Sequence, residues 1–340
     1  MGDKKIKFAI VGMGHIGKRH ADVIEKNPDA QLMAVCDVQP AEKTGWHRRD
    51  IPYFSNFASM LGHLDGCDVV NICTPNGLHA SQAIDALDHR KHVVVEKPMA
   101  ISRSGGEGVI HKALQMSRHV FTVMQNRYSP PSVWLKEIVE KGILGKIYFV
   151  QMNCFWNRDD RYYLNNGWHG TANLDGGVLF TQFSHFIDML YWLFGDITDI
   201  RAKFDNFAHA HSTEFEDSGS VMFEFVNGGM GAINFSTAVW DKNLESTMTI
   251  IAENGTIKIS GQYMNEVTDC HIRNYEMPPL NAGAPPNDYG GYQGSAANHH
   301  LVIDNVIQTL KEQTSITTNA LEGLKVVDII ERIYQQRRSQ

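Results

Sequence analysis

Over the first 125 residues, short unbroken apolar runs alternate with stretches of helical spacing. Ile6–Val11, Leu32–Cys36, Val69–Cys73, His92–Glu96 and Val120–Val123 are rich in β-branched residues and flanked by turn formers, the pattern of strands buried on both faces. Gly17–Lys26, Phe57–Leu64, Leu78–Leu87 and Gly106–Met116 lie between them with apolar positions three and four apart. Strands alternating with helices predict a doubly wound parallel sheet. After Met124 the pattern changes. A helix over Pro131–Lys141 leads into a long strand, Lys146–Trp156, followed by strands Asp217–Val226, Met230–Thr237, Thr247–Ala252 and Thr256–Ser260. Asn227-Gly228-Gly229 and Asn254-Gly255 read as hairpin turns, so this half is expected to be α+β with a mostly antiparallel sheet. Met277–Ser295, rich in Pro, Gly and Asn, is expected to be one long mobile loop, and Ala320–Gln335 a closing helix. The expected division is into domains 1–125 and 126–340.

Composition narrows the function classes. The 340 residues are 43% hydrophobic and 20% charged, as in ordinary globular proteins, and the net charge of −7 with no basic run argues against nucleic acid. The five cysteines form no C-x-x-C pair and sit mostly in apolar runs, as reduced thiols do. No apolar stretch approaches the length of a membrane span, and Ile6–Val11 is too short for a signal-peptide core. A cytoplasmic protein that binds no membrane is expected.

Gly12-Met13-Gly14-His15-Ile16-Gly17 follows a strand and opens a helix. In a dinucleotide site the first glycine allows the tight turn, the second lets the backbone approach the pyrophosphate, and the third lets helix and strand pack, with phosphate on the helix amides. Asp37 ends the second strand twenty residues after Gly17, where a carboxylate takes ribose hydroxyls; Val38 and Gln39 offer no cation for a 2′-phosphate. NAD is therefore expected over NADP. Thr74-Pro75-Asn76, with His79 nearby, follows the Val69–Cys73 strand at the crevice where such sheets bind ligands, and Thr74 or Asn76 could also cap a helix.

Glu96-Lys97-Pro98 ends the next strand on the same side. There Lys97 can hold a substrate oxygen beside the nicotinamide, or stand as a solvated cation; Pro98 can be cis. The second centre follows Asp175-Gly176-Gly177, where one helix is predicted to begin. Phe183, Phe186, Ile187, Leu190 and Phe194 form its apolar stripe, and Thr181, His185 and Asp188 fall at i, i+4 and i+7 as a polar line. His185 suits removal of an alcohol proton, though a lone helical histidine is often structural.

These motifs, in this order and spacing, resemble the Gfo/Idh/MocA oxidoreductase family over nearly the whole chain. The resemblance implies a Rossmann domain followed by an open-faced antiparallel sheet, with Lys97 and His185 matching the family's catalytic lysine and histidine. The family usually carries Asp four residues before the histidine, and Thr181 stands there instead, which leaves Lys97 and His185 as the pair. Gln125-Asn126-Arg127, Phe155-Trp156-Asn157-Arg158, Tyr162-Tyr163, Gly167-Trp168-His169-Gly170-Thr171 and Gln182-x-Ser184-His185 are similar to the WlbA/WbpB branch, whose members lack that Asp too. That branch contains UDP-N-acetyl-glucosaminuronate 3-dehydrogenases of surface-polysaccharide biosynthesis. It implies that Gln125, Asn126, Arg127, Arg158, Tyr163, Trp168, Thr181, Gln182 and His185 contact a sugar nucleotide and that no metal takes part. Trp and Tyr stack on rings and Arg meets carboxylate or phosphate, while the same residues could equally be core and surface. A free-sugar or inositol dehydrogenase, or a non-catalytic sensor of the same fold, are the competing expectations.

On Lys146–Trp156 one side shows Tyr148, Val150, Met152, Cys154 and Trp156, and the other Ile147, Phe149 and Phe155 with Gln151 and Asn153. Two apolar sides predict a homo-oligomer, a dimer or tetramer, covering one sheet face, unless the Met277–Ser295 loop covers it instead. Light scattering in dilute solution is expected to give a mass at least twice the 38.2 kDa of one chain. A single-chain mass across a wide concentration range would rule this out.

Overall fold

The computed structural model describes residues 5–164, 167–288 and 292–339. In chain order the first elements are β1 (Ile6–Val11), α1 (His15–Lys26), β2 (Ala30–Cys36), α2 (Ala41–Thr44), β3 (Tyr53–Phe54), α3 (Phe57–Leu61), β4 (Val69–Ile72), α4 (His79–Asp88), β5 (His92–Val95), α5 (Arg103–Met116) and β6 (Val120–Thr122). The six strands form one parallel sheet in the order β3-β2-β1-β4-β5-β6. β1, β4 and β5 are buried almost throughout, which is why they read as unbroken apolar runs. Val11, Cys36, Val70, Ile72, Val93 and Val95 pack there with Met60, Leu61, Ala83, Leu87 and Val109 from the helices. The expected strand ends Cys73, Glu96 and Val123 leave the ladder, yet each still donates its N–H to the neighbouring strand, at Val11, Ile72 and Val95.

The second set comprises α6 (Pro130–Glu140), β7 (Ile147–Phe155), α7 (Asp160–Tyr163), α8 (Val178–Thr181), α9 (Ser184–Phe194), β8 (Ile197–Asp205), β9 (Ser218–Phe225), β10 (Met230–Ser236), β11 (Glu245–Ala252), β12 (Gly255–Ser260), β13 (Glu266–Ile272), β14 (Pro286–Asp288) and β15 (Gln293–Ala296). Seven of these strands make a mixed sheet, β13-β12-β11-β7-β10-β9-β8, antiparallel except for the β7–β10 pair. Val150, Met152 and Cys154 of β7, with Val221, Phe223, Phe225, Ile233 and Phe235, form its buried face. On the opposite face Ser220, Asn234, Asn153 and Gln151 hydrogen-bond side chain to side chain across three strands. Met222, Met230 and Ile251 are exposed. That face is thus a polar ladder with an apolar margin, less apolar than β7 alone implies.

Three expectations are corrected. The helix after Gly177 is two helices, α8 and α9, interrupted at Gln182 and Phe183. Met277–Ser295 is not one unbroken loop, because β14 pairs with β15, Tyr263 holds the Ala284 carbonyl, and Arg158 and Asn243 hold that of Gln293; residues 289–291 lie outside the described residues. The chain divides into Met1–Met124 with His299–Val327, and Gln125–Asn298 with Asp328–Gln340, so 126–340 is not one body. The returning segment brings α10 (His299–Leu310) and the start of α11 (Ala320–Gln335) to the first unit. There Asn27 donates to Asp304, Lys311 pairs with Asp29, and Thr122 donates its N–H to the Thr318 carbonyl. Among the described residues no helix is long and apolar enough to cross a membrane.

One contact in the first sheet gives a pH dependence. His92 Nδ1 accepts the backbone N–H of His119 at 3.0 Å, which requires an unprotonated nitrogen. Burial and the neighbouring His119 and Arg118 push the imidazole down from its ordinary 6.5 to about 4. Between those values the unfolded chain binds a proton that the folded chain refuses, so stability present above pH 6.5 is lost as pH falls toward 4. His92→Asn keeps the acceptor without the titration. Calorimetry from pH 6.5 to 4.5 is expected to show the parent melting temperature falling about 2 °C further than the variant's. Parallel curves would exclude His92 as a source.

Candidate active site

The first unit presents a mononucleotide turn at the carboxyl end of β1. Gly12 has φ +89°, and a Cβ there would lie 2.5 Å from the Cys73 carbonyl oxygen; a Cβ on Gly17 would lie 1.8 Å from the Gly12 oxygen. A Cβ on Gly14 would meet nothing within 4 Å, so this glycine faces open space, as close approach by a ligand requires. His15 and Ile16 begin α1, whose first turn has no side-chain cap and no acidic residue. Its amides suit phosphate. Asp37 accepts the Met13 N–H at 2.7 Å and the Gln39 N–H at 2.8 Å, tying the end of β2 to the glycine turn. Val38 beside it is 84% exposed. These features fit a dinucleotide.

Neighbouring side chains support this crevice from within. Thr74 donates to Gln82 at 2.6 Å, and Asn76 is buried in the 3₁₀ turn Asn76–Leu78. Neither caps α4, whose N-cap position is Leu78, so the capping expectation is corrected. The His79 ring is engaged by main chain on both sides: its Nδ1 lies 2.7 Å from the Pro98 carbonyl and its Nε2 2.7 Å from that of Thr74. Burial lowers its pKa while the two carbonyls work against that shift. The Lys97–Pro98 bond is cis, and Lys97 is half-buried. The Glu96 carboxylate turns inward to His20 and His299 instead of outward to a cofactor.

In the second unit His185 is buried in the first turn of α9. The polar line expected around it does not form. Thr181, on α8, donates to the Asp175 side chain and backbone, and Asp175 also accepts the Gly170 N–H at 2.7 Å. Asp188 grips Arg127 through two bonds of 2.9 and 2.6 Å, both residues fully buried. This carboxylate compensates the charge of the guanidinium fork. Arg158 is likewise enclosed. It donates to Gln182, Asn243 and the carbonyls of Asn157 and Gln293, within 5.3 Å of the rings of Trp156, Tyr162 and Tyr292. Gln182 donates in turn to Tyr162 at 2.6 Å. Tyr163 is buried against Thr237, whereas Trp168 is half-buried against His169.

The buried polar atoms of this unit that lack a hydrogen-bond partner among the described residues include Gln125 Oε1, Asn126 Nδ2, Ser184 Oγ and Ser295 Oγ. Such groups are costly unless answered, and a polar ligand would answer them. Gln125 and Asn126 are among the residues that the sequence resemblance implies contact a sugar nucleotide. Ser184 lies in the quoted Gln182-x-Ser184-His185 run without being singled out, and Ser295 ends a segment whose composition signals only a loop.

Residues 6–124 match the model of an oxidoreductase family, NAD-binding Rossmann fold, and residues 133–258 that of the GFO/IDH/MocA C-terminal domain. The chain belongs to the Gfo/Idh/MocA family. Two solved structures resemble this member over its whole length, both WlbA dehydrogenases in complex with NADH and UDP-GlcNAcA. That of Bordetella pertussis is 31% identical with a TM-score of 0.86, covering 99% of this chain and 97% of its own. That of Chromobacterium violaceum is 32% identical with a TM-score of 0.87, covering 100% and 95%. The inositol 2-dehydrogenase of Rubrobacter xylanophilus is 25% identical over 264 residues, 75% of this chain and 72% of its own. This Gfo/Idh/MocA chain is an NAD-dependent oxidoreductase.

A 2′-phosphate beside the Asp37 carboxylate would bring like charges together. Titration by nucleotide fluorescence is expected to show NADH bound at least about tenfold more tightly than NADPH, with Asp37→Ala narrowing the gap. Equal dissociation constants in the parent chain would contradict the assignment.

Proposed function

We propose that this chain oxidises a hydroxyl of a nucleotide sugar, at C3 of a UDP-N-acetyl-hexosaminuronic acid, as a step in surface-polysaccharide synthesis. The observation that carries the reading is the end-to-end similarity to two dehydrogenases solved with NADH and UDP-GlcNAcA. The buried, unanswered polar atoms of Gln125, Asn126, Ser184 and Ser295 support a highly hydroxylated ligand. Lys97 donates a hydrogen bond to the reacting oxygen and stabilises its developing charge. His185 takes the hydroxyl proton. The C–H and O–H bonds of one carbon are lost, a C=O bond forms, and two electrons leave with the C–H hydrogen. The Gly12–Gly17 turn would hold NAD+, which when bound would supply the acceptor for that hydride. Thr181 serves by fixing Asp175, and Arg158 and Gln182 by fixing Tyr162 and the Gln293 backbone. The polar ladder with its apolar margin, Met222, Met230 and Ile251, is read as the face that a second copy covers.

Oxidation of a free sugar or inositol is the second reading, favoured by the similarity to inositol 2-dehydrogenase. A panel of UDP-GlcNAcA, UDP-GlcNAc, glucuronate, glucose and myo-inositol, followed by NADH absorbance and thermal shift, separates the two. Turnover with the UDP-linked acid alone is expected, and turnover with a free sugar alone would overturn the proposal. Lys97→Ala and His185→Ala are each expected to lower kcat on the order of a hundredfold or more while NADH affinity stays within about twofold. Near-normal kcat in either variant would remove that residue from the mechanism.

A further inference from the structure

Four elements of the first unit converge on the carboxylate of Glu96, which is 6% exposed. Oε1 lies 3.0 Å from His20 Nε2, on α1, and 3.4 Å from His299 Nε2, at the start of α10. Oε2 accepts the backbone N–H of Lys97 at 3.2 Å. Behind His20, Asn71 of β4 places its amide Nδ2 2.8 Å from Nδ1. An amide NH2 only donates, so Nδ1 carries the lone pair and the ring proton sits on Nε2, toward Glu96. With the amide reversed, Oδ1 would draw a proton onto Nδ1 and the ring would be charged. In either arrangement Nε2 donates to Glu96. Burial would raise the carboxyl pKa, but the hydrogen bond from His20 and the close contact of His299 at 3.4 Å hold it well below the usual range. Burial lowers that of His299 against the pull of Glu96.

This buried charge falls where the main chain leaves the sheet. The Glu96 N–H still bonds the Ile72 carbonyl, but the next N–H, that of Lys97, has passed the ladder and is met by the Glu96 side chain. On the other side of Lys97, the Pro98 carbonyl is held by His79. We propose that Glu96, braced by His20 and His299, is a positioning residue that fixes the Lys97 main chain and so the direction in which its amine is presented. The inference rests on the reading of Lys97 as the group that holds the reacting oxygen. Two imidazoles and a carboxylate are also ligand types for a divalent cation, and these three form such a cluster. Ligand atoms around tetrahedral zinc stand about 3.3 Å apart. The 3.0 Å between His20 and Glu96, with a proton already directed along it, is a hydrogen bond.

Hydrogen exchange and kinetics on the full chain test this together. Glu96→Ala is expected to speed exchange of the Lys97 amide at least about tenfold while the Val93–Val95 amides of β5 keep their rates. With UDP-GlcNAcA as substrate, Glu96→Ala should lower kcat about tenfold in the parent background and less than about twofold in a Lys97→Ala background, since residues acting as one unit are not additive. KM and NADH affinity should move less than about twofold. His299→Gln, which keeps a donor, should retain more rate and slower exchange than His299→Ala, and this pair carries the test if Glu96→Ala does not fold. Unchanged Lys97 exchange, or equal losses of kcat in both backgrounds, would reduce Glu96 to a structural role. One divalent cation per chain, lost in Glu96→Ala, would replace the positioning network with a metal site. Normal kcat in Lys97→Ala alone would instead overturn the functional reading, leaving the exchange result to stand by itself.

Discussion

A carboxylate removed from water must be answered by donors, and four such groups organise this chain. In the first unit Glu96 draws in two histidines and a backbone amide. In the second, Asp188 closes on the fork of Arg127, Asp175 joins Gly170 to Thr181, and Asp217 takes the Ala208 N–H with His209 and Ser218 around it. Glu96 and Asp188 pin together segments far apart in sequence, Asp175 and Asp217 pin local turns, and three of the four stand beside Lys97, Thr181 or the α9 helix of His185. Removing one partner would strand a buried charge, so these contacts specify geometry more than they add stability.

The Rossmann half was legible because burial on both faces writes itself into continuous apolar runs, and the glycines of the first turn follow from close backbone contact. The edge strands β8 and β13 were not. Ile197–Asp205 and Glu266–Ile272 are largely exposed; Ile200, Ala202 and Phe204 do alternate with Arg201, Lys203 and Asp205, but the apolar side is only half-buried and the run carries few strong strand formers. The helix α10 was passed over although Val302, Ile303, Val306 and Ile307 carry the right spacing, because its neighbours in sequence belong to a loop-like composition. The interruption between α8 and α9 lies in a mixed stretch, Thr181-Gln182-Phe183-Ser184, without Gly or Pro to announce it.

In the site, residue types were easier to read than their engagements. Lys97 at a strand end and His185 after a double glycine stand out by position. That Arg127 is committed to Asp188, 61 residues on, is tertiary information that no spacing encodes. The same holds for His79, whose ring is used on two carbonyls, and for Arg158, whose aromatic surround comes from three separate segments. Periodicity locates faces of elements, whereas long-range partners decide which polar side chains remain available for a ligand.

The return of His299–Val327 to the first unit bears on how the protein is made. A ribosome releases residues 1–124 long before the segment that supplies His299, Asp304 and the Thr318 carbonyl. Until then Glu96 lacks one of its donors, and the α1 side of the sheet lacks its outer helix. Domains generally fold as the chain emerges, the N-terminal one first. Here the nucleotide-binding unit is begun first, yet it reaches its complete form only after residues 125–298 of the other unit have been synthesised.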